Sequence, residues 1–96
     1  MGDVISEEKL EKYFSVTKQA LDMIAEKGVD EAQKGRAEEV LDMAKRYYDD
    51  AGHFREKGDW VLAFAALNYA HGWLDCGARL GLFKVADSKL FTVDDE

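Results

Sequence analysis

Four polar side chains recur at three- and four-residue steps in the second half of the sequence: Asn68, His71, Asp75 and Arg79. If this stretch is helical, they lie along one side of the helix, because each residue turns the chain by about 100°. An amide, an imidazole, a carboxylate and a guanidinium on one side could bind a small anion or transfer protons near neutral pH. A solvent-exposed helix face with an Asp75–Arg79 ion pair has the same spacing, and surface helix faces usually look like this.

The same side of that helix becomes apolar toward its N-terminus, where Phe64 and Val61 continue the stripe. A polar face that turns apolar indicates cover by a loop, by the C-terminal tail or by another protein. We therefore expect Val61, Phe64 and neighbours on the second helix to form an interaction surface, occupied by a protein partner or by a second copy of the chain.

Metal ligands and catalytic nucleophiles are scarce in the sequence. The only histidines are His53 and His71 and the only cysteine is Cys76, whereas a structural zinc site uses four such ligands. We predict no metal, no cofactor and no catalytic residue, because no Ser–His–Asp or Cys–His arrangement follows from these spacings. Cys76 is interpreted as a small buried side chain rather than as a nucleophile.

Arg46 and His53 are separated by six residues, which resembles the arginine–histidine motif of the helical HEPN ribonuclease family. That resemblance implies RNA cleavage, with His53 as the acid–base group and Arg46 on the phosphate. The net charge of −7 and the short chain argue against this alternative.

The composition is that of one globular domain. Ninety-six residues, 47% of them hydrophobic, can bury one modest core and leave too little for a second. A net charge of −7 disfavours nucleic acids and anionic membrane surfaces as partners, because both are negatively charged.

We expect a cytoplasmic location. A single cysteine excludes an intramolecular disulfide, and small secreted domains often depend on such bonds. Residues 1–14 lack the basic flank and apolar stretch of a signal peptide. The longest apolar run, residues 60–67, is far too short to cross a membrane.

The first helix is predicted over residues 7–27. Ser6 followed by two glutamates is typical of a helix N-terminus, and Gly28 suits the left-handed position after the last turn. Between these limits Leu10, Tyr13, Phe14, Thr17, Ala20, Leu21 and Ile24 recur at three- and four-residue steps and form one apolar stripe.

The second helix is predicted over residues 31–57, with an ambiguous beginning. Either Asp30 caps a helix that continues through Gly35, or Gly35 lies in a loop and the helix begins near Arg36. Gly58 marks the end of the helix.

The third helix is predicted over residues 60–80, with Asp59 as N-cap and Gly81 just past the C-terminus. Small residues form a row on one face: Ala63, Ala66, Ala70 and Gly77. Larger residues flank that row: Leu62, Tyr69, Trp73 and Leu80 on one side, Leu67 and Leu74 on the other. A small row lets neighbouring backbones approach, so we expect a central helix whose flanking residues each pack against a neighbour.

Residues 84–96 lose the helical period. We expect an extended C-terminal tail whose apolar residues, Leu90 and Phe91 among them, lie across a groove of the bundle. The fold class that follows is all-α: a three-helix up-and-down bundle with an extended tail.

The chain resembles a family of small archaeal proteins known only as domain of unknown function 357. The resemblance is clearest at residues 69–75, YAHGWLD, and at residues 77–83, GARLGLF, and it extends over residues 37–83. It implies a cytosolic three-helix bundle and assigns no activity, so no catalytic residue can be transferred from it.

The functional hypothesis that these observations favour is a non-enzymatic interaction or scaffolding module. Its rival from another class is a small-ligand or enzymatic site on Asn68, His71, Asp75 and Arg79. The HEPN-like ribonuclease is the third alternative.

Overall fold

Helix α1, Glu7–Lys27, begins where the sequence places an N-cap. The Ser6 hydroxyl accepts a hydrogen bond from the backbone N–H of Lys9 at 3.1 Å, which satisfies one of the free amides of the first turn. The helix ends at Gly28, whose φ of 93° favours glycine. The computed structural model of the chain describes residues 5–85, 90 and 91.

Helix α2, Lys34–Glu56, is preceded by a short 3₁₀ turn, Glu31–Gln33. The Asp30 carboxylate accepts a hydrogen bond from the N–H of Ala32 and so caps this turn rather than the α-helix. Gly35 lies inside α2, which excludes the alternative that the helix begins near Arg36.

Helix α3, Trp60–Arg79, follows α2 after a three-residue turn. Gly58 in that turn has a φ of 79°, and the Asp59 carboxylate accepts a hydrogen bond from the N–H of Leu62 at 3.2 Å. Three helices in this order confirm the predicted all-α, three-helix fold.

Helix α3 is the central element, since it packs extensively against α2 and also against α1. Two rows of small buried residues explain how closely α2 and α3 approach. Both rows repeat every seven residues: Ala37, Ala44 and Ala51 on α2, and Ala63, Ala70 and Gly77 on α3. In an antiparallel hairpin the equal repeat keeps the rows in step along the contact.

Larger side chains fill the core at both ends of the bundle. One cluster is built around Leu10 and Leu67, and the other around Ile24, Leu74 and Phe83. Helices α1 and α2 meet through aromatic and charged side chains. The rings of Phe14 and Tyr48 contact edge to face, and Arg55 forms an ion pair with Glu11.

The chain after α3 turns back onto the bundle at Gly81, whose φ is 76°. It then pairs with the α1–α2 connection in a single antiparallel β-bridge between Val29 and Phe83. The N–H of Asp30 donates to the Leu82 carbonyl and the N–H of Lys84 donates to the Gly28 carbonyl, both at 2.9 Å. The end of α3 is thereby fixed to the end of α1.

Gly77 has a further neighbour that the sequence does not indicate. A Cβ atom at this position would collide with Cε2 of Phe83. The missing side chain therefore makes room for the ring of the returning segment, in addition to its place in the small-residue row of α3.

Part of the predicted tail, residues 84–96, packs on the bundle. Phe91 is buried in the cluster around Ile24 and Leu74, and Leu90 is half-buried against it. Residues 86–89 and 92–96 of the predicted tail lie outside the described residues.

Candidate functional site

Both ring nitrogens of His71, in the polar stripe, have partners among the described residues. Its Nδ1 lies 3.1 Å from Oγ1 of Thr17 on α1, and its Nε2 lies 2.5 Å from the carbonyl oxygen of Leu90. A carbonyl can only accept, so Nε2 donates to Leu90, and Nδ1 of the neutral ring accepts from the Thr17 hydroxyl. The imidazole thus connects α3 to α1 and to the C-terminal segment.

Asp75 lies one helical turn beyond His71. Its Oδ1 is 3.7 Å from Nε2 of His71, which is too long for a hydrogen bond and short enough for attraction to a charged imidazole. Asn68 and Arg79 are exposed, whereas His71 and Asp75 are half-buried.

A cavity of about 250 Å³ lies between α1 and α3 beside this stripe. Asn68, His71 and Asp75 line it together with Tyr13 and Thr17 from α1. Arg79, the fourth residue of the predicted ligand site, is not among its lining residues. The structure therefore brings together three of the four stripe residues.

The two residues of the predicted interaction surface differ in their surroundings. Val61 is exposed, but Phe64 is half-buried within the cluster around Leu67. The ring of Phe64 meets the ring of Tyr13 edge to face at 4.9 Å, and the ammonium of Lys9 lies 6.0 Å from its centre. Helix α1 thus covers Phe64 and leaves Val61 exposed.

The flanks of the small-residue row on α3 agree with the prediction in part. Leu67 and Leu74 on one flank are buried. On the other flank Trp73 is half-buried and Tyr69 contacts Tyr47 of α2, while Leu62 and Leu80 are exposed. The prediction was wrong for Leu62 and Leu80, because α2 approaches over the small row itself and the two ends of the far flank extend past the contact. The outer side of α3 consequently presents large apolar side chains to solvent.

Aromatic rings from α2 and α3 form a short series on this side. Tyr47 contacts Tyr69 at 4.4 Å between ring centres, and Tyr69 contacts Trp73 at 6.4 Å. The indole N–H of Trp73 is buried and has no hydrogen-bond partner among the described residues. A shallow cavity of about 220 Å³ adjoins these rings, lined by Gly72 and Cys76 among others.

Cys76 is exposed, so its interpretation as a small buried side chain was wrong. The helical position explains this result. Residue 76 lies one turn beyond Gly72 on the outer side of α3, where no neighbouring helix covers it.

Arg46 and His53 do not share a groove. The guanidinium of Arg46 pairs with Asp42 at 2.9 Å, and both side chains are mostly exposed. A cavity beside His53 is lined by the carboxylates of Asp49 and Glu56 and does not include Arg46. Two carboxylates beside His53 would repel a phosphate, so this geometry does not support phosphodiester cleavage.

Lys18 on α1 and Tyr48 on α2, which lie near each other, have pKa values above their ordinary ones. A hydrogen bond to Asp22 raises the pKa of Lys18, and burial raises the pKa of Tyr48. In the described part of the chain, no three His, Cys, Asp or Glu side chains lie close enough to hold a metal ion. None of the helices described has the length and apolarity needed to cross a membrane.

Thr17 is the residue of this site whose contact sequence reasoning did not predict. It was placed in the apolar stripe of α1 because of its spacing, and it is indeed buried there. A hydroxyl within an apolar stripe needs a partner, and this was the available signal. Its partner lies 54 positions away in the sequence, beyond the reach of any local spacing rule.

Comparison with known proteins identifies the family. No curated protein and no solved structure matches the chain. A family model described as a protein of unknown function, DUF357, matches residues 12–83. This range contains nearly all of the three helices and the Phe83 bridge, and it spans well over half of the sequence. The chain therefore belongs to the DUF357 family.

Proposed function

We propose that this protein is a non-enzymatic interaction module and that the outer side of α3 is its binding surface. The observation that carries the proposal is the distribution of charge. Helix α3 contains two charged residues, Asp75 and Arg79, whereas α1 contains nine and α2 contains eleven. Helices α1 and α2 thus have the charged outer faces usual for solvated helices, and α3 does not.

Large apolar residues are exposed along α3, where Arg79 near its C-terminal end is the one exposed charged residue. Val61 is 57% exposed, Leu62 45%, Tyr69 55% and Leu80 64%. Single exposed apolar residues are ordinary, but a series along one helix is typical of a surface that another protein covers. Burying one such side chain in an interface contributes about 1.5–3 kcal/mol.

The environment of His71 supports a structural role for the polar stripe. Both ring nitrogens are engaged within the protein, one by Thr17 and one by Leu90. A general base needs a nitrogen that reaches its substrate. The role of the stripe that these bonds support is to hold α1 and the C-terminal segment in place beside the binding surface.

A substitution on α3 tests the proposal. Leu62→Asp places a carboxylate in the first turn of α3, where the helix dipole favours negative charge, so the fold is expected to survive. Ala25→Asp on the exposed side of α1 is the matched control.

The tagged chain is used as bait in a pull-down from an extract of its native cells. Each captured protein is then purified, and its affinity for the wild-type chain and for both variants is measured by titration. We expect a defined partner, another protein or the chain itself, whose affinity falls at least about tenfold with Leu62→Asp and stays unchanged with Ala25→Asp. Equal affinity of both variants for every purified partner would overturn the proposal.

The cavity beside His71 supports a second candidate, a small-molecule site. Asn68, His71 and Asp75 line it, and these groups could orient a polar molecule. Its volume of about 250 Å³ lies below the usual range of ligand pockets, so the ligand would have only a few heavy atoms. A screen of small anions and fragments by ¹⁵N NMR tests this candidate, and unchanged His71 signals with every compound would exclude it.

A further inference from the structure

The cavity between α1 and α3 has a negatively charged wall. Among the described residues that line it, Asp75 is the one with a charged side chain beside the neutral imidazole of His71, and it is 28% exposed. Arg79, one turn further along α3, is exposed and does not belong to the lining. An anion in the cavity would meet a carboxylate with no cationic group on the wall to offset it, so the wall favours a cation.

The hydrogen bonds inside the site lead to the same conclusion. Thr17, which is 2% exposed, donates its only hydroxyl proton to Nδ1 of His71, and Nε2 of His71 donates its proton to the Leu90 carbonyl. Thr17 and Asp75 therefore present acceptor oxygens to the cavity. A carboxylate has about four acceptor positions, so Asp75 can accept from a ligand and keep its contacts within the chain. The site consequently matches a ligand that donates hydrogen bonds.

The other walls of the cavity are mainly apolar. Val16 and Leu67 line it beside the ring of Tyr13, and Gly72 leaves its part of the wall without a side chain. Such walls favour an alkyl chain, because apolar surface on both sides is removed from water. The volume of about 250 Å³ holds at most about eight groups of the size of a water molecule, at about 30 Å³ each. The ligand is therefore a short molecule.

We propose that this cavity binds a small primary amine in its charged form, with the ammonium group at the Asp75 carboxylate and a short alkyl chain between Val16 and Leu67. The inference rests on the second candidate function, the small-molecule site, and names its class of ligand. An ammonium group has three N–H donors and no acceptor, which complements the acceptor oxygens of Asp75 and Thr17. A small anion, which the residue types of the polar stripe also allow, would need the guanidinium of Arg79 in the lining.

The charge of the whole protein acts in the same direction and has to be separated from the site. A net charge of −7 attracts any cation toward the surface and repels any anion. A test of the cavity therefore needs a reporter inside it and a control variant with the same change in net charge.

Three compounds with a short alkyl chain test the charge of the ligand: n-butylammonium, 1-butanol and butyrate. The methyl groups of Val16 and Leu67 report binding inside the cavity, and ¹³C NMR of the wild-type protein near neutral pH follows them. We expect saturable shifts at both residues, with n-butylammonium binding at least about tenfold more tightly than 1-butanol and butyrate binding most weakly. This ranking tests the proposal without any variant.

Asp75→Asn tests the carboxylate, because asparagine keeps the size of the side chain and removes its charge. Its affinity for n-butylammonium should fall at least about tenfold, whereas 1-butanol should bind within about twofold of the wild type, which shows that the cavity is intact. Asp42→Asn on α2 is the matched control. Asp42 lies outside the cavity, and its replacement changes the net charge by the same amount and removes a pair with Arg46 one turn away. It should bind n-butylammonium as the wild type does.

The outcomes separate this inference from the candidate on which it rests. If 1-butanol or butyrate shifts the Val16 and Leu67 signals and n-butylammonium binds no more tightly, the small-molecule site remains and the amine is overturned. Equal losses in Asp75→Asn and Asp42→Asn also overturn it. If none of the three compounds gives a saturable shift, the amine proposal falls, and the wider screen of anions and fragments decides the small-molecule candidate by itself.

Discussion

The hydroxyl of Thr17 on α1 lies 3.1 Å from Nδ1 of His71 on α3, and this contact joins two helices at the centre of the bundle. Thr17 is 2% exposed, and among the described residues it is the one buried polar side chain. On its other side the same imidazole donates to the carbonyl of Leu90. One ring therefore bonds to α1 and to the C-terminal segment at once.

Thr17→Val should destabilise the protein by about 1–2 kcal/mol. Valine has the same shape as threonine but leaves Nδ1 of His71 without its hydroxyl partner, and an unsatisfied half-buried acceptor has a cost of this size. Urea unfolding followed by circular dichroism measures the free energy.

Repeating Thr17→Val in a protein that lacks His71 shows whether the Thr17–His71 contact causes the loss of stability. In a His71→Leu protein the acceptor is gone, so Thr17→Val should then have little effect. A coupling of at least about 0.5 kcal/mol between the two positions is expected. Additive effects would show that the contact contributes nothing to stability.

Gly77→Ala should destabilise the protein by about 1–3 kcal/mol, although alanine is the better helix former. The new methyl group would collide with Cε2 of Phe83, whose ring is buried and tied to the α1–α2 connection by the bridge to Val29. Thermal unfolding and urea unfolding both measure this change.

Two control experiments show whether Phe83 is the reason for the effect of Gly77→Ala. Gly72→Ala, where a Cβ meets nothing, should instead stabilise the protein by about 0.5–1 kcal/mol. In a Phe83→Leu background the closest ring atoms are absent, so Gly77→Ala should lose most of its cost. A Gly77→Ala protein as stable as Gly72→Ala would contradict the packing of Phe83.

The helices were predictable because their signals are local. Capping residues such as Ser6 and Asp59 lie within three residues of the amides that they satisfy, and the apolar period follows from helix geometry alone. The central place of α3 follows from its small-residue row in the same way. The capping and periodicity arguments depend on residues three or four positions apart, and the capping side chains do contact the amides at that distance.

The site was less predictable because its relationships are not local. Leu62 and Leu67 have identical side chains on opposite flanks of one row, and the positions of α1 and α2 decide that Leu67 is buried and Leu62 exposed. Cys76 was misjudged for the same reason. The contact of Gly77 with Phe83 depends on a chain reversal that follows α3, which residue type alone does not indicate.

Phe91→Ala should lower the free energy of unfolding by about 3 kcal/mol, the usual cost of truncating a buried phenylalanine. Phe91 is buried beside Ile24 and Leu74, and its ring lies 6.4 Å from that of His71. If Phe91 holds the C-terminal segment in place, Leu90 should leave Nε2 of His71 at the same time. Nitrogen-15 NMR of the imidazole would record that loss.

Leu80→Ala is the control for Phe91, because Leu80 is large, apolar and exposed. It should change the free energy by no more than about 0.5 kcal/mol and leave the His71 signals unaltered. Equal, small effects of both substitutions would show that residues 90 and 91 do not contribute to the core.

Tyr48→Phe should reduce the loss of stability at alkaline pH. Burial raises the pKa of the Tyr48 hydroxyl above its ordinary value of 10.0, and the nearby charges of Asp22 and Asp49 act in the same direction, against Lys18. The folded state therefore holds this proton more tightly than the unfolded state. Below pH 10 both states are protonated, and the wild type has its full stability; as the pH rises through the folded pKa, that stability is lost.

Phenylalanine keeps the edge-to-face contact with Phe14 but has no proton to lose. Free energies of unfolding in urea, measured from pH 7 to pH 11, should therefore fall less steeply above pH 10 in Tyr48→Phe than in the wild type. The two proteins differ only in this hydroxyl, so the difference between the curves reports its loss, including its interaction with Lys18. Parallel curves across this range would mean that the hydroxyl is equally hydrated in the folded and unfolded chains.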